Sequence, residues 1–220
     1  MSLPVKVCGI TRLEDAREAL RLGAQAIGFI FYPPSPRAIQ PEAAKAIVRA
    51  LPPFTITVGV FVGFPAEQIN AIADHCGLDR IQLHGGEPWD LVSRLNRPAY
   101  RAFRLRDETD LERVRAEPDQ TILLDTFDTA EYGGTGKTFD WDWARALSSE
   151  RQVILAGGLK PENIRDALEK AQPAAVDVSS GVEDAPGIKN HEKLNAFFEA
   201  LKGHPFQQPS PWSADYASAN

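Results

Sequence analysis

The 220-residue sequence is short of cysteine, of long apolar runs and of clustered positive charge. Its two cysteines, Cys8 and Cys76, are too few for a disulfide framework. No apolar run reaches the roughly 18 residues that a membrane helix needs, and the first residues lack the regions of a signal peptide. We therefore expect a cytoplasmic protein in a reducing compartment, with no membrane partner.

The charge balance argues against a further class of partner. Lys and Arg number 24 against 30 Asp and Glu, which gives a formal net charge of −6, and no basic run is present. We expect no nucleic-acid partner, because nothing in the chain would follow a phosphate backbone. An anionic substrate would need a local binding site that overcomes the repulsion from the protein's net negative charge. No clustered His/Cys spacing predicts a metal site, and neither metal nor cofactor is expected.

Apolar, largely β-branched segments alternate eight times with amphipathic segments. In the first pair, "VKVCGI" predicts a strand and "TRLEDAREALRLG" a helix, which Thr11 and Glu14 would begin as a capping box and Gly23 would end. Alternation of this kind predicts a parallel sheet covered by helices. Eight units predict a single (β/α)₈ barrel, with a doubly wound open sheet as the alternative. The remaining predicted strands are "AIGFIF", "TITVGVFV", "RIQLHG", "AYRAFRL", "TILLDTF", "QVILAGGL" and "AAVDVSSGV".

We assign the barrel to residues 1–202 and a polar tail to residues 203–220. The tail is rich in Pro, Ser and Gln and shows no periodicity, so we expect it to be flexible. Its three aromatic residues, Phe206, Trp212 and Tyr216, would allow it to dock on a neighbouring surface instead.

The last two predicted strands end in small residues that suit an anion. Gly157 and Gly158 follow strand seven, and Ser180 and Gly181 follow strand eight. Unhindered backbone amides there would surround a phosphate group, which barrels frequently bind between these two loops. The alternative is that the glycines only make tight turns. Two such loops in adjacent positions favour a phosphorylated small molecule as ligand.

Two other strand ends carry groups capable of proton transfer. Cys8 ends strand one before a helix whose N-terminus would favour a thiolate, and Asp125 ends the apolar "ILLD". A thiol base and a carboxylic acid beside a phosphate site indicate proton transfer on a phosphosugar. The alternatives are a core cysteine and a hydrogen-bonding strand end. His84 would line the pocket or act as a base, whereas Cys76, near the far end of a helix, is interpreted as structural.

The motif series resembles that of the phosphoribosylanthranilate isomerase family. The residues that carry the resemblance run in order from about residue 5 to residue 202: "KVCGIT", "GFIFYPPSPR", "GVFV", "QLHG", "LLDT", "GGTGKTFDW", "ILAGGL" and "VDVSSGVE". The resemblance implies an Amadori rearrangement of N-(5-phosphoribosyl)anthranilate in tryptophan biosynthesis. It also implies that Asp125 is the acid that opens the sugar ring and that Cys8 is the base that removes the C2 proton.

The resemblance further implies the roles of the substrate-binding residues. Arg37 would pair with the anthranilate carboxylate, Asp177 would lie near the ribose hydroxyls, and the two small-residue loops would hold the phosphate. Lys137, in a Gly-rich segment, would contact the phosphate or lie on a solvated lid. A monomer or a homodimer is expected. The rival interpretations are an aldolase or epimerase of another ribulose phosphate, and a non-catalytic phosphosugar-binding barrel.

Overall fold

A computed structural model describes residues 3–125 and 141–203 of the chain. Eight parallel strands close into a barrel in the order in which they occur along the sequence, so the open-sheet alternative is excluded. The strands are β1 Val5–Val7, β2 Ala26–Ile30, β3 Ile56–Phe61, β4 Arg80–Leu83, β5 Ala99–Arg104, β6 Thr121–Asp125, β7 Gln152–Ala156 and β8 Ala175–Val178.

A helix follows each strand, as the eightfold alternation predicts. The helices are α1 Leu13–Leu22, α2 Pro41–Arg49, α3 Ala66–Cys76, α4 Trp89–Val92, α5 Glu108–Arg115, α6 Trp141–Glu150, α7 Ile164–Ala171 and α8 His191–Leu201. Gly23 ends α1 in the left-handed conformation, with φ of 114°, as the sequence predicts. Cys76 is buried at the last position of α3, away from the carboxyl ends of the strands, in agreement with a structural role.

The alternation of side chains along each strand creates two apolar regions. The larger one lies between the strands and the helices and includes Ile27, Phe29 and Ile122. A smaller cluster around Val58 and Leu123 is separate from it. The small cluster shares the barrel with a group of buried polar residues, Lys6, Gln82, Tyr100 and Asp177, which hydrogen-bond to one another.

Two local predictions are wrong. The capping box at Thr11 and Glu14 does not form: α1 begins after Arg12, and the Thr11 hydroxyl donates instead to the carbonyl oxygen of Gly187, 2.5 Å away. The helix predicted over "EPWDLVSRL" is only the four residues of α4, because the amides of Arg94 and Leu95 bond three residues back and close turns instead.

An antiparallel pair of short strands lies between β8 and α8 and was not predicted. It consists of β9 Glu183–Ala185 and β10 Ile188–Lys189, and it follows a single 3₁₀ turn over Ser180–Val182. This hairpin carries two charged residues into the mouth of the barrel, as described below. Within the described residues, no helix is long and apolar enough to cross a membrane. Apart from Gly203, the predicted tail lies outside the described residues, as does Lys137.

Candidate active site

Cys8 directly follows β1 at the carboxyl end of the barrel, and its side chain is buried. Gly28 of β2 makes room for it, because a Cβ atom at that position would lie 2.8 Å from the Cys8 Sγ and 2.9 Å from the Lys6 Cε. Burial raises the pKa of the Cys8 thiol, although the nearby Lys6 and Lys189 ammonium groups oppose this. The sequence-based expectation of a lowered pKa is therefore wrong for the free protein. The reason is that α1 begins only at Leu13, while burial acts on the thiol directly.

Asp177 of β8 lies beside Cys8 and forms a buried ion pair. The Lys6 Nζ lies 2.6 Å from the Asp177 Oδ2, and both side chains are almost inaccessible. Burial disfavours the Lys6 ammonium, but the Asp177 carboxylate outweighs this, and the pKa of Lys6 is raised. The second oxygen, Oδ1, is buried and has no hydrogen-bond partner among the described residues. Because a buried acceptor without a donor is costly, this oxygen is suited to a hydroxyl donor of a ligand.

Asp125 ends β6 and receives two donors at one oxygen. Its Oδ2 lies 3.2 Å from the His84 Nε2 and 3.3 Å from the Arg104 Nε. Burial would raise the pKa of Asp125, but the hydrogen bond with His84 and the charge of Arg104 outweigh it, so the pKa lies below its ordinary value. The predicted role as an acid requires the protonated form, which the free protein does not favour. The histidine follows β4, two strands away from β6 in the barrel, and the contact is visible only in three dimensions.

A hydrogen-bond chain joins the two sides of the barrel mouth. Lys6, which pairs with Asp177, also donates to the Gln82 Oε1 at 2.9 Å. The Gln82 Nε2 lies 2.9 Å from the Nδ1 of His84, and His84 contacts Asp125. The predicted acid is thus connected to the surroundings of the predicted base through described side chains.

Arg37, in the loop after β2, is held by an acidic residue of the hairpin. Its Nε lies 3.0 and 2.9 Å from the two carboxylate oxygens of Glu183, and its Nη2 lies 2.7 Å from Oε2. Lys189, which is fully buried, donates to the same carboxylate at 2.8 Å and to the Cys8 carbonyl oxygen at 2.6 Å. Through Glu183 and Lys189, ion pairs and hydrogen bonds therefore connect the Arg37 loop to the end of β1.

The two predicted phosphate loops touch each other. A Cβ atom on Gly181 would lie 1.9 Å from the Leu159 carbonyl oxygen, so only glycine allows this approach. Gly157 and Gly158 adopt positive φ angles of 82° and 60°, which other residues rarely adopt. Ser180 opens the 3₁₀ turn in the same loop as Gly181. The arrangement brings together the four residues that the sequence assigns to the phosphate.

Further polar groups hold or line these loops. Asn163 accepts from the Lys160 amide and donates to the Gly158 carbonyl oxygen, which fixes the loop after β7. The buried Ser179 hydroxyl has no hydrogen-bond partner among the described residues. No group of three or more His, Cys, Asp or Glu in residues 3–125 and 141–203 is placed to hold a metal ion.

In the described part of the chain, the predicted site residues lie at the carboxyl ends of the strands or in the loops that follow them, whereas Lys137 lies outside it. Four buried polar residues that contact them were missed: Lys6, Gln82, Glu183 and Lys189. A signal for two of them was present, since Lys6 in "VKV" and Gln82 in "IQL" interrupt apolar strands. The hairpin residues carry no such signal, because their burial depends on contacts with the loops after β1 and β2.

Comparison with known proteins identifies the family. A family model described as N-(5'-phosphoribosyl)anthranilate isomerase matches residues 5–200. The N-(5'-phosphoribosyl)anthranilate isomerase of Geotalea uraniireducens is 47% identical over 199 residues, covering 90% of this chain and 98% of the relative.

Two solved structures have the same fold and similar sequences. A phosphoribosyl anthranilate isomerase in complex with reduced 1-(o-carboxyphenylamino)-1-deoxyribulose 5-phosphate is 42% identical with a TM-score of 0.83, covering 91% of this chain and 99% of that chain. A monomeric form of the dimeric enzyme from Thermotoga maritima is 40% identical with a TM-score of 0.82, at the same coverage of both chains. With its barrel, its strand-end residues and these similarities, the chain belongs to the phosphoribosylanthranilate isomerase family.

Proposed function

We propose that this protein catalyses the Amadori rearrangement of N-(5-phosphoribosyl)anthranilate to 1-(2-carboxyphenylamino)-1-deoxyribulose 5-phosphate in tryptophan biosynthesis. It is an isomerase that uses general acid–base catalysis, with Asp125 as the acid and Cys8 as the base. The observation that carries the proposal is the family match over residues 5–200, which includes both residues. An aldolase, an epimerase or a non-catalytic barrel would not be expected to match this family along its whole length.

In the proposed mechanism a proton is first donated and another is then removed. Asp125 donates a proton to the furanose ring oxygen, the C1–O bond breaks, and the sugar opens to a Schiff base. The Cys8 thiolate then removes the proton from C2, which gives an enolamine. The enolamine tautomerises to the aminoketone. The product has the same atoms as the substrate. After these steps Asp125 has lost a proton and Cys8 has gained one, and exchange with solvent restores both groups.

The protonation states of the two groups must change when substrate binds. In the free protein, burial favours the Cys8 thiol, and the contacts with His84 favour the Asp125 carboxylate. The reaction needs a thiolate and a carboxylic acid. A bound substrate that covers Asp125 would raise its pKa by desolvation, and the two ammonium groups near Cys8 would stabilise the thiolate. We therefore assign the change of protonation to the enzyme–substrate complex.

The proposed roles of Arg37 and Asp177 follow from hydrogen-bonding capacity that the described residues leave unused. Glu183 occupies the Nε/Nη2 edge of Arg37, and Nη1 forms no hydrogen bond with a described residue. The outer edge of the guanidinium group would then receive the anthranilate carboxylate as a bidentate partner. Asp177 would accept from a ribose hydroxyl through Oδ1, and His84 would line the pocket between them. Gly157, Gly158, Ser180 and Gly181 would present backbone amides to the phosphate.

The function is tested by a fluorescence assay for the loss of phosphoribosylanthranilate, with the product identified by mass spectrometry. We expect substrate to disappear and a product of the same mass to form, since the reaction is an isomerisation. A protein that binds ribose phosphates but leaves the fluorescence unchanged would support the non-catalytic alternative. Release of a smaller fragment would indicate an aldolase.

We further propose that the protein acts in the cytoplasm on a small-molecule substrate, as a monomer or a homodimer. The net charge of −6 and the absence of a spanning helix among the described residues support this setting. Phe54, which is 97% exposed before β3, is a large apolar side chain that a dimer contact would cover. Light scattering on the purified protein distinguishes one subunit from two.

A further inference from the structure

Gln82 is the central residue of the hydrogen-bond chain between Lys6 and Asp125. It lies on β4 between Val60 of β3 and Tyr100 of β5 in the barrel register, and it is buried. Its Oε1 lies 2.9 Å from the Lys6 Nζ and 3.1 Å from the Tyr100 hydroxyl, and its Nε2 lies 2.9 Å from the His84 Nδ1. Both ends of the amide are therefore in use.

The charge of Lys6 determines which way this amide points. An ammonium group donates hydrogen bonds and cannot accept them, so the Gln82 atom that faces Lys6 must be the oxygen. The amide nitrogen then faces His84 and donates to it. The Nδ1 of His84 must accept, which means that it carries no proton. The proton of the neutral ring is consequently on Nε2, and this N–H donates to the Oδ2 of Asp125.

We propose that Gln82 is a positioning residue that holds His84 in its neutral Nε2–H form and thereby orients the Asp125 carboxyl group. Because Oδ2 accepts from His84, Oδ1 is the oxygen left to carry the proton that Asp125 donates. The inference rests on the proposed function, in which Asp125 is the acid. It extends that function by assigning a task to a residue that does not touch the substrate.

Side chains of similar size would not both accept from Lys6 and donate to His84. Methionine offers no donor to His84 and leaves the ring free to adopt either neutral form. Glutamate offers only acceptors, so it would attract a proton to Nδ1. Tyr100 differs from Gln82 in this respect, because Lys6 still fixes the amide oxygen when the Tyr100 hydroxyl is removed.

The test is nitrogen-15 NMR of the histidine side chains in the free protein, combined with steady-state kinetics. A His84→Asn variant assigns the His84 signals among those of the four histidines. In the wild type we expect an unprotonated Nδ1 and a protonated Nε2 at neutral pH. In Gln82→Glu we expect Nδ1 to become protonated. In Gln82→Met we expect a mixture of the two neutral forms of His84. We expect kcat to fall roughly tenfold, which is part of the 10²–10⁴-fold that general acid–base catalysis contributes, and KM to stay within about twofold.

Tyr100→Phe is the matched control, and both its His84 signals and its kcat should stay within about twofold of the wild type. A wild-type His84 with a proton on Nδ1, or on both nitrogens, would overturn the proposal even if neither Gln82 variant folds. So would a folded Gln82→Met protein with unchanged tautomer and kcat. The NMR measurement needs no substrate, so a wild type that fails to convert phosphoribosylanthranilate would refute the function and leave the histidine result standing.

Discussion

Neutralising Glu183 is expected to destabilise the protein far more than neutralising a glutamate that is paired with an exposed arginine. The Glu183 carboxylate is 4% exposed and is the counter-ion of both Arg37 and the fully buried Lys189. In Glu183→Gln, Lys189 keeps its two carbonyl acceptors but loses its compensating charge. Leaving a buried charge uncompensated costs about 3–5 kcal/mol. Because Arg37 is partly exposed, we expect the lower end, about 3 kcal/mol.

Glu18 provides the matched control for this substitution. It forms a bidentate pair with Arg21 at 2.8 and 2.7 Å, but the Arg21 side chain is 65% exposed. Exposed pairs contribute about 0–1 kcal/mol, so Glu18→Gln should change the free energy of unfolding by no more than that. The assay is urea unfolding followed by circular dichroism. At about 2–4 °C per kcal/mol for a domain of this size, Glu183→Gln should also lower Tm by about 6–12 °C.

The pH dependence of this difference has a defined sign. Burial disfavours the Glu183 carboxylate, but Arg37 and Lys189 outweigh it, so the pKa of Glu183 is below its ordinary value of 4.5. A lowered pKa in the folded state contributes stability above the unfolded value, and this stability is lost as pH falls through the folded value. The gap between wild type and Glu183→Gln should therefore shrink in acid. A gap that is absent at neutral pH, or equal to that of Glu18→Gln, would refute the reasoning.

Three further outcomes are expected. Arg37→Ala should raise KM for phosphoribosylanthranilate, because truncating one partner of a charge pair costs about 2–4 kcal/mol of binding free energy. Unchanged kinetics would place Arg37 outside the binding site. Iodoacetamide should inactivate the enzyme by alkylating Cys8. Inactivation should be faster at alkaline pH, because burial raises the pKa of Cys8, and slower with product bound. Inactivation that maps to Cys76 would contradict this prediction. Removal of residues 204–220 should leave kcat/KM within about twofold of the full chain, because less than about 1 kcal/mol of transition-state stabilisation should depend on the tail. A large loss of activity would show that the tail docks.

The barrel could be predicted because its determinants are local. Alternating apolar strands and amphipathic helices are visible in the sequence, and their number favours the closed barrel that the structure shows. The positions of Cys8 and Asp125 follow, because both stand at strand ends. The short α4 and the hairpin of β9 and β10 could not be predicted in this way, since neither has a long periodic pattern.

The electrostatics of the site depend on contacts between distant parts of the chain. The sequence suggested a thiolate at Cys8 from the helix that follows, but burial of the thiol dominates. It identified Asp125 at the end of an apolar strand, but not its contact with His84, 41 positions away, which donates to the carboxylate. Glu183 lies 146 positions from Arg37, and although it ends the motif "VDVSSGVE", nothing in the sequence indicates that the two side chains pair. Such contacts depend on the folded barrel and cannot be predicted from local sequence patterns.

The most direct test of the proposed mechanism is the kcat of Cys8→Ser for phosphoribosylanthranilate, measured beside the wild type and with folding checked by circular dichroism. If the thiol is the base, kcat should fall by about 10²-fold or more, the usual scale of general acid–base catalysis, while KM changes little. A folded Cys8→Ser protein with near-normal kcat would contradict the mechanism. Cys8 would then be a core residue, and the base would have to be sought elsewhere, with His84 the next candidate.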